Sequence, residues 1–382
     1  MEYGHFDDDR REYVITRPDT PQPWINYLGD QDYCAIVSNN AGGWSFNRSP
    51  GQNRILRHRF NGVPTDRSGR YVYLRDADGD YWSNSWAPVQ KPQDRQRCVC
   101  RHGLGYSVIE SDYRDVSSAV TYLVPLGHDV ELWHVTVRND SERERQLDCF
   151  AYGEFAFPFM SHEWTLQATL FVAEMGCTHG VVWYSTPVPG WRWRQTFMTA
   201  TGELAGFDAR REAFIGPWRD EANPAAVEGG ACGNSAGAGG NACGALQQTL
   251  TLAPGASWTT TVIVGEGGID TGRQARAHWT PAAVARALDE LAAYWDERLR
   301  PLQCRTPQAP LDSSINVWNA YQAHVVFRWS RSASYVEAGD RDGLGYRDTL
   351  QDTLGVLHTV PDRVQETLVD LLRGQASDGS AL

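Results

Sequence analysis

The chain has no apolar run approaching the roughly 20 residues a membrane-spanning helix needs, which excludes a helical membrane protein. It also lacks a basic excess. Lys and Arg together number 35 against 47 Asp and Glu, for a net charge of −12. A chain this acidic is a poor partner for nucleic acid or an anionic membrane, so neither is expected. The opening Met1-Glu2-Tyr3-Gly4-His5-Phe6-Asp7-Asp8-Asp9 has neither the basic nor the apolar region of a signal peptide, and the expectation is a cytoplasmic protein. Cysteine is sparse and scattered, with eight in all. Cys98-Val99-Cys100 is too tight for the usual zinc spacing and no second Cys or His pair complements it, so no metal is expected. Cys232 and Cys243 flank a glycine-rich segment. In a cytosolic chain they read as free thiols, with a disulfide as the alternative. That segment, 229–244, has no phosphate-loop lysine and no strand–helix context, which excludes a nucleotide cradle and leaves a surface loop.

What is present is 382 residues, 41% of them hydrophobic, with 15 tryptophans. The length suggests two or three domains of roughly 100–200 residues. Tryptophans belong mostly to cores, although their faces also suit sugar rings. Up to about residue 270 the chain reads as β-structure. Tyr71-Val72-Tyr73-Leu74, Ala119-Val120-Thr121-Tyr122-Leu123-Val124 and Leu132-Trp133-His134-Val135-Thr136-Val137 are β-branched and aromatic, and turn clusters bound them. His134 and Thr136 fall on one face. Many short strands without alternating helices predict a large antiparallel β-sandwich. Residues 247–252 and 257–264, flanking Ala253-Pro254-Gly255-Ala256, predict a hairpin.

After Gly268 the pattern becomes helical. Thr280 as cap, Pro281 at the first helical position and Val284, Leu288, Leu291 and Trp295 at helical spacing predict a linker helix over 281–299. A second helix is expected over 311–327, with Leu311, Ile315, Trp318 and Val325 on its buried face. Two more follow over 349–359 and 362–373, the last with a stripe of Val364, Leu368, Leu371 and Leu372. The expected division is a sandwich over 1–270, a linker helix region over 271–305 and a helical domain over 306–382. So few helices bury their faces poorly, and a larger, truncated helical domain is the expectation.

One stretch near the end stands apart. Gly339-Asp340-Arg341-Asp342-Gly343-Leu344-Gly345-Tyr346-Arg347-Asp348-Thr349-Leu350-Gln351-Asp352 puts two arginines, four aspartates and three glycines into fourteen residues. Charge at that density is rarely needed for stability. Arg and Asp together supply the donors and acceptors that vicinal sugar hydroxyls require, and glycines let a ligand approach the backbone. The competing reading is a loop tied down by its own ion pairs, Arg347 with Asp348 above all.

Several long motifs resemble one family. Tyr3-Gly4-His5-Phe6-Asp7-Asp8, Pro23-Trp24-Ile25-Asn26-Tyr27-Leu28-Gly29, Asn40-Ala41-Gly42-Gly43-Trp44-Ser45-Phe46, Arg101-His102-Gly103-Leu104-Gly105-Tyr106 and Gly153-Glu154-Phe155 are similar to segments of the cellobiose and chitobiose phosphorylases, the inverting β-glycoside phosphorylases of glycoside hydrolase family 94. The 213–224 segment resembles the N,N'-diacetylchitobiose branch. The 339–352 stretch resembles both that branch and the cellobionic acid phosphorylases. The resemblance spans essentially the whole chain. It implies an N-terminal antiparallel β-sandwich, a helical linker and the first helices of an (α/α)6 barrel, in an enzyme that forms a homodimer.

The implied reaction cleaves a β-linked disaccharide with inorganic phosphate and releases an α-sugar 1-phosphate with inversion. Phosphate is an anionic nucleophile already, so one carboxylic acid suffices where an inverting hydrolase needs two. No cofactor is implied beyond phosphate as co-substrate. The family's acid is an Asp in a Trp-Asn-Asp-like motif, whereas here Trp318-Asn319 is followed by Ala320. The general acid and the phosphate-binding residues are therefore expected beyond Leu382, with the chain inactive alone. By resemblance, Arg341 and Asp348 hold hydroxyls of the glycosyl unit, and Gln167 reaches the leaving sugar across a dimer interface. An ordinary strand glutamine is an equal reading of Gln167. His5 and His102 lack nucleophile or metal partners and read as structural. Glu154 is expected to pair with an arginine such as Arg101. The alternatives to a phosphorylase are a non-catalytic carbohydrate-binding or dimerisation module, and a hydrolase of the same architecture.

Overall fold

The computed structural model describes residues 2–59, 66–157, 171–188, 192–339 and 345–381. Among these, strands assemble into an eleven-stranded, a five-stranded and a four-stranded sheet whose neighbouring strands run antiparallel. Strand Val116–Leu123 shows why: its residues alternate between buried and half-buried, the period of two that puts one face on a core. Strand Val130–Asn139 is buried on both faces at its start and alternates later. Trp133 enters the core between the two larger sheets, with Trp82, Val135, Leu246 and Val262. Leu132 points the other way, beneath Trp279, Ala283 and Val284 of the helical region. His134 and Thr136 lie beyond that cover and are both half-buried on one face, as the sequence suggests.

The expected hairpin around residues 253–256 does not form. Strand Ala242–Leu252 pairs with Arg145–Glu154 in the five-stranded sheet, whereas Ser257–Glu266 pairs with Val130–Asn139 in the eleven-stranded sheet. The turn therefore carries the chain from one layer to the other. The 139–145 connection makes the same crossing beside it. Asn139 holds the two together: its Nδ2 donates to the carbonyls of Arg143 (2.7 Å) and Leu252 (2.9 Å), and its backbone carbonyl accepts from Gly255 N (2.9 Å).

Helix α1 (Ile269–His278) and helix α2 (Pro281–Leu299) follow. Thr280 caps α2 by accepting from Ala283 N, and Val284, Leu291 and Trp295 are buried on the expected face. A third helical run, α3, covers 309–330, with π-type turns at Ser314–Asn319 and Val326–Ser330. Its buried residues are Ala320, Tyr321, His324, Val325 and Trp329, whereas Leu311, expected on the buried face, is 44% exposed. No residue of 309–319 is fully buried, so the first half of α3 lies outside the core whichever way its side chains face, and burial begins at Ala320. Helices α4 (Tyr346–Leu354) and α5 (Pro361–Arg373) complete the described chain. In α5 Val364 and Leu371 are buried, whereas Leu372, expected in the same stripe, is 57% exposed. No helix among the described residues is long and apolar enough to cross a membrane.

The four-stranded sheet meets α3. Cys34, Ile36, Trp44 and Phe46 pack on Trp329, Ala333 and Ala338. The chain just before the charged stretch is thus laid on the sandwich.

Candidate functional site

The approach to the site is a tight turn over 333–338, closed by an Ala333↔Ala338 bridge and a hydrogen bond from Ser334 N to Glu337 O (2.8 Å). Four groups of the sandwich grip three consecutive residues of it. The Tyr27 hydroxyl donates to Ala333 O (2.9 Å) and the Trp44 indole to Ser334 O (3.0 Å). His58 Nε2 donates to Tyr335 O (3.2 Å), and the Tyr335 hydroxyl donates to the Asp66 carboxylate.

The Ala41-Gly42-Gly43-Trp44 motif acquires a physical reason here. A methyl group on Gly42 would fall on the Asp66 carboxylate and lie 2.7 Å from the Tyr335 hydroxyl. Gly339, with φ +85°, passes so close to Gly51 that a side chain would meet its backbone. Gly42→Ala is expected to cost about 1–3 kcal/mol, read as a lower urea midpoint; an unchanged midpoint would show that Asp66 and Tyr335 can part without penalty.

Beyond Gly339 the chain enters 340–344, so Arg341 lies outside the described residues, and Gln167 does too. Asp348 is described. It sits in the first turn of α4, where a carboxylate is favoured by the helix dipole. Its side chain is 40% exposed and pairs with Arg347 (2.9 Å) and Arg331 (3.5 Å). The Arg347 pair is the one named as the structural alternative. Arg331 was not foreseen. It follows the end of α3 and forks onto Asp352 with contacts of 2.8 and 3.0 Å. The site thus presents a guanidinium between two carboxylates, with Arg331 and Asp348 half open to solvent. That combination donates to and accepts from hydroxyl groups at one place. The only sequence signal for Arg331 was its position just before a run of charges, since its partners lie on another helix.

Other candidates prove structural. His102 is buried between Ser107 Oγ (2.8 Å) and Trp24 O (3.0 Å), and burial pushes its imidazole down to about 4. His5 is exposed on an edge strand. Glu154 does not pair with Arg101, which instead reaches Glu12 and Glu110. Glu154 takes Arg57 (3.0 Å), Arg59 (3.0 Å) and Arg211 (2.7 Å), and the last two are shared with the buried Glu221. Burial alone would raise the Glu154 carboxyl, but the three guanidinium groups hold it well below the usual range. It is ionised and saturated, which suits an anchor and not a proton donor. Cys98, Cys100, Cys232 and Cys243 are buried free thiols. Among the described residues no three His, Cys, Asp or Glu side chains are grouped to hold a metal ion.

Comparison with known proteins places this geometry. Residues 11–286 match the glycosyl hydrolase 94 supersandwich domain, and 294–382 match the glycosyl hydrolase 94 superfamily catalytic domain. The chain belongs to glycosyl hydrolase family 94. Among its family 94 relatives, the N,N'-diacetylchitobiose phosphorylase of Vibrio furnissii is 44% identical and that of Vibrio proteolyticus 42% identical. Each alignment covers 100% of this chain and 48% of the relative. The solabiose phosphorylase of Paenibacillus borealis is 28% identical, over 100% of this chain and 49% of its own. The family 94 chain therefore spans about half the length of the curated relatives it matches. A bacterial glucoamylase complexed with acarbose shares the fold, with a TM-score of 0.50 at 6% identity, covering 97% of this chain and 56% of that one. Large antiparallel sheets followed by helices are thus the arrangement expected from the sequence.

Proposed function

We propose that this chain is the N-terminal part of an inverting disaccharide phosphorylase, one that cleaves a β-linked disaccharide of the N,N'-diacetylchitobiose type with inorganic phosphate to give an α-sugar 1-phosphate. The observation that carries it is the 42–44% identity to two diacetylchitobiose phosphorylases over 100% of the chain. In this reading Arg341 and Asp348 hold hydroxyls of the glycosyl unit. Arg331, beside Asp348, holds that carboxylate in place. The general acid and the phosphate site come from the half of the relatives' length that this chain does not span. The division at 1–270, 271–305 and 306–382, a homodimer with Gln167 facing the neighbouring subunit's leaving sugar, and a cytoplasmic location belong to the same proposal.

The test is phosphorolysis by the full-length protein, with sugar 1-phosphate and free sugar both quantified. Asp348→Ala is expected to lower kcat/KM on the order of 100-fold, the loss of one or two hydrogen bonds to a charged group. The 382-residue chain alone should give no product. Free sugar released equally with and without phosphate would make the protein a hydrolase instead, and turnover by the isolated chain would refute the missing acid.

A further inference from the structure

Asp66 is buried, 5% exposed, and among the described residues its carboxyl meets two hydroxyl groups: Ser38 Oγ donates to it at 2.6 Å, and Tyr335 donates from the turn. Tyr71, from the five-stranded sheet, donates to its backbone carbonyl (3.0 Å) and not to the carboxyl. Among the described residues no cation pairs with it. The nearby buried guanidinium of Arg70 is spent on Glu131. Burial pushes the Asp66 carboxyl up to about 6, against the pull of the two hydroxyls. A carboxyl raised in the fold binds its proton more tightly folded than unfolded. Its favourable contribution is therefore full below the unfolded value of about 3.9 and is lost as pH rises through about 6. The fold is thus less stable with this carboxyl ionised, at neutral pH, than with it protonated. Among the described residues the carboxyl has hydroxyl groups and no cation to hold, so it is placed for something other than an ion pair.

Its geometry says what. The turn that Asp66 grips through Tyr335 lies between Arg331, which holds Asp348 and Asp352, and Gly339, which leads into 340–344. We propose that Asp66 is a positioning residue for the sugar-holding site, acting through the Tyr335 hydroxyl to fix the 331–339 segment and with it the Arg331–Asp348 pair. The sandwich thereby takes part in substrate binding without touching substrate. This rests on the phosphorolysis reading above for its kinetic consequence, and on the hydrogen bonds alone for its structural one.

The experiment compares Tyr335→Phe, Asp66→Asn and the double variant in the full-length protein. Asparagine tolerates the φ of +55° at position 66, so that change adds no backbone strain. Asp66→Asn is expected to leave the thermal midpoint unchanged or higher. Tyr335→Phe should raise the disaccharide KM about tenfold with kcat little altered, and should speed amide exchange in 332–338 and 346–354 about as much. Because the two residues act through one hydrogen bond, the double variant should be no worse than Tyr335→Phe. An unchanged KM with unchanged exchange overturns the inference. So does a fall in thermal midpoint, with exchange raised throughout the sandwich, because that marks a merely structural pair. If the wild type shows no phosphorolysis, the functional reading has failed. The exchange comparison still decides the inference, with unaltered exchange in 346–354 counting against it.

Discussion

Replacing Glu131 by glutamine is expected to destabilise the sandwich by about 3–5 kcal/mol, among the largest effects of any single change in the described chain. Arg70 and Glu131 are each about 1% exposed at the side chain. They meet in a fork, Nε to Oε1 at 2.8 Å and Nη2 to Oε2 at 3.0 Å. The remaining arginine donors reach Ile36 O (2.9 Å) and Trp44 O (3.0 Å), so the guanidinium sews the four-stranded sheet to strand Val130–Asn139 of the eleven-stranded sheet. Glu131 also accepts from the Trp133 indole (2.8 Å). A buried pair of this kind adds little net stability over a well-packed apolar pair, since both ions were taken out of water. Breaking it is a different matter. Glutamine keeps the shape and the acceptor but leaves a full positive charge in the core. The measurement is urea unfolding followed by tryptophan fluorescence, with Trp44 and Trp133 as adjacent reporters. Combining Arg70→Met with Glu131→Leu should recover most of the loss, because no charge is then stranded. A single variant that loses less than about 1 kcal/mol would mean that water reaches the guanidinium.

Features set by neighbours in sequence were legible, and those set by neighbours in space were not. Helix α2 could be read from Thr280, Pro281 and the spacing of Val284, Leu291 and Trp295, since a cap and one buried face are local matters. The 253–256 turn could not. Its residues suit a hairpin as well as a crossing between layers, and the choice depends on which sheet claims each strand. Leu311 was misplaced because an apolar repeat does not say whether the fold covers it, and no residue in the first half of α3 is fully buried. In the site, Asp348 was visible through charge density. Arg331 and the Tyr335–Asp66 bond were not, for their partners lie 17 and 269 residues away. The glycines gave the one faint clue. Gly42 and Gly43 before Trp44 announce that something passes close to the backbone, but only the fold shows it to be Asp66 and Tyr335 at Gly42 and the Ile36 backbone at Gly43.

The second large effect is expected at Asp30, where the sandwich is fastened to the helices. Its carboxylate, 4% exposed at the side chain, accepts from the Tyr294 hydroxyl of α2 and from His324 Nε2 of α3, and forms ion pairs with Arg363 of α5 at 3.1 Å and Arg328 at 3.8 Å. Arg363 also donates to the Asp30 backbone carbonyl (3.0 Å). The flanking backbone joins in: Trp329 Nε1 donates to Gly29 O (3.2 Å) and Arg328 to Gln31 O (3.1 Å). Three helices therefore converge on one carboxylate. Asp30→Asn strands Arg328 and Arg363 against one another and weakens the acceptor that His324 uses. Both arginines keep about a quarter of their side chains in water, so the cost falls at the low end of the range for a broken buried pair, about 3 kcal/mol. Burial alone would raise the Asp30 carboxyl, but His324, Arg363 and Tyr294 hold it down at about 2. A carboxyl depressed in the fold contributes stability that is complete above its unfolded value of about 3.9 and is lost as pH falls through the folded one. The wild type should therefore outlast Asp30→Asn by its full margin near pH ~5, and the margin should shrink by roughly 2–3 kcal/mol as the pH approaches 2. Other carboxylates titrate alike in both proteins and cancel from the difference. A margin as wide at pH 2.5 as at pH 6 would place the fastening in the apolar contacts of Trp295, Tyr321 and Val325, with the carboxylate a bystander.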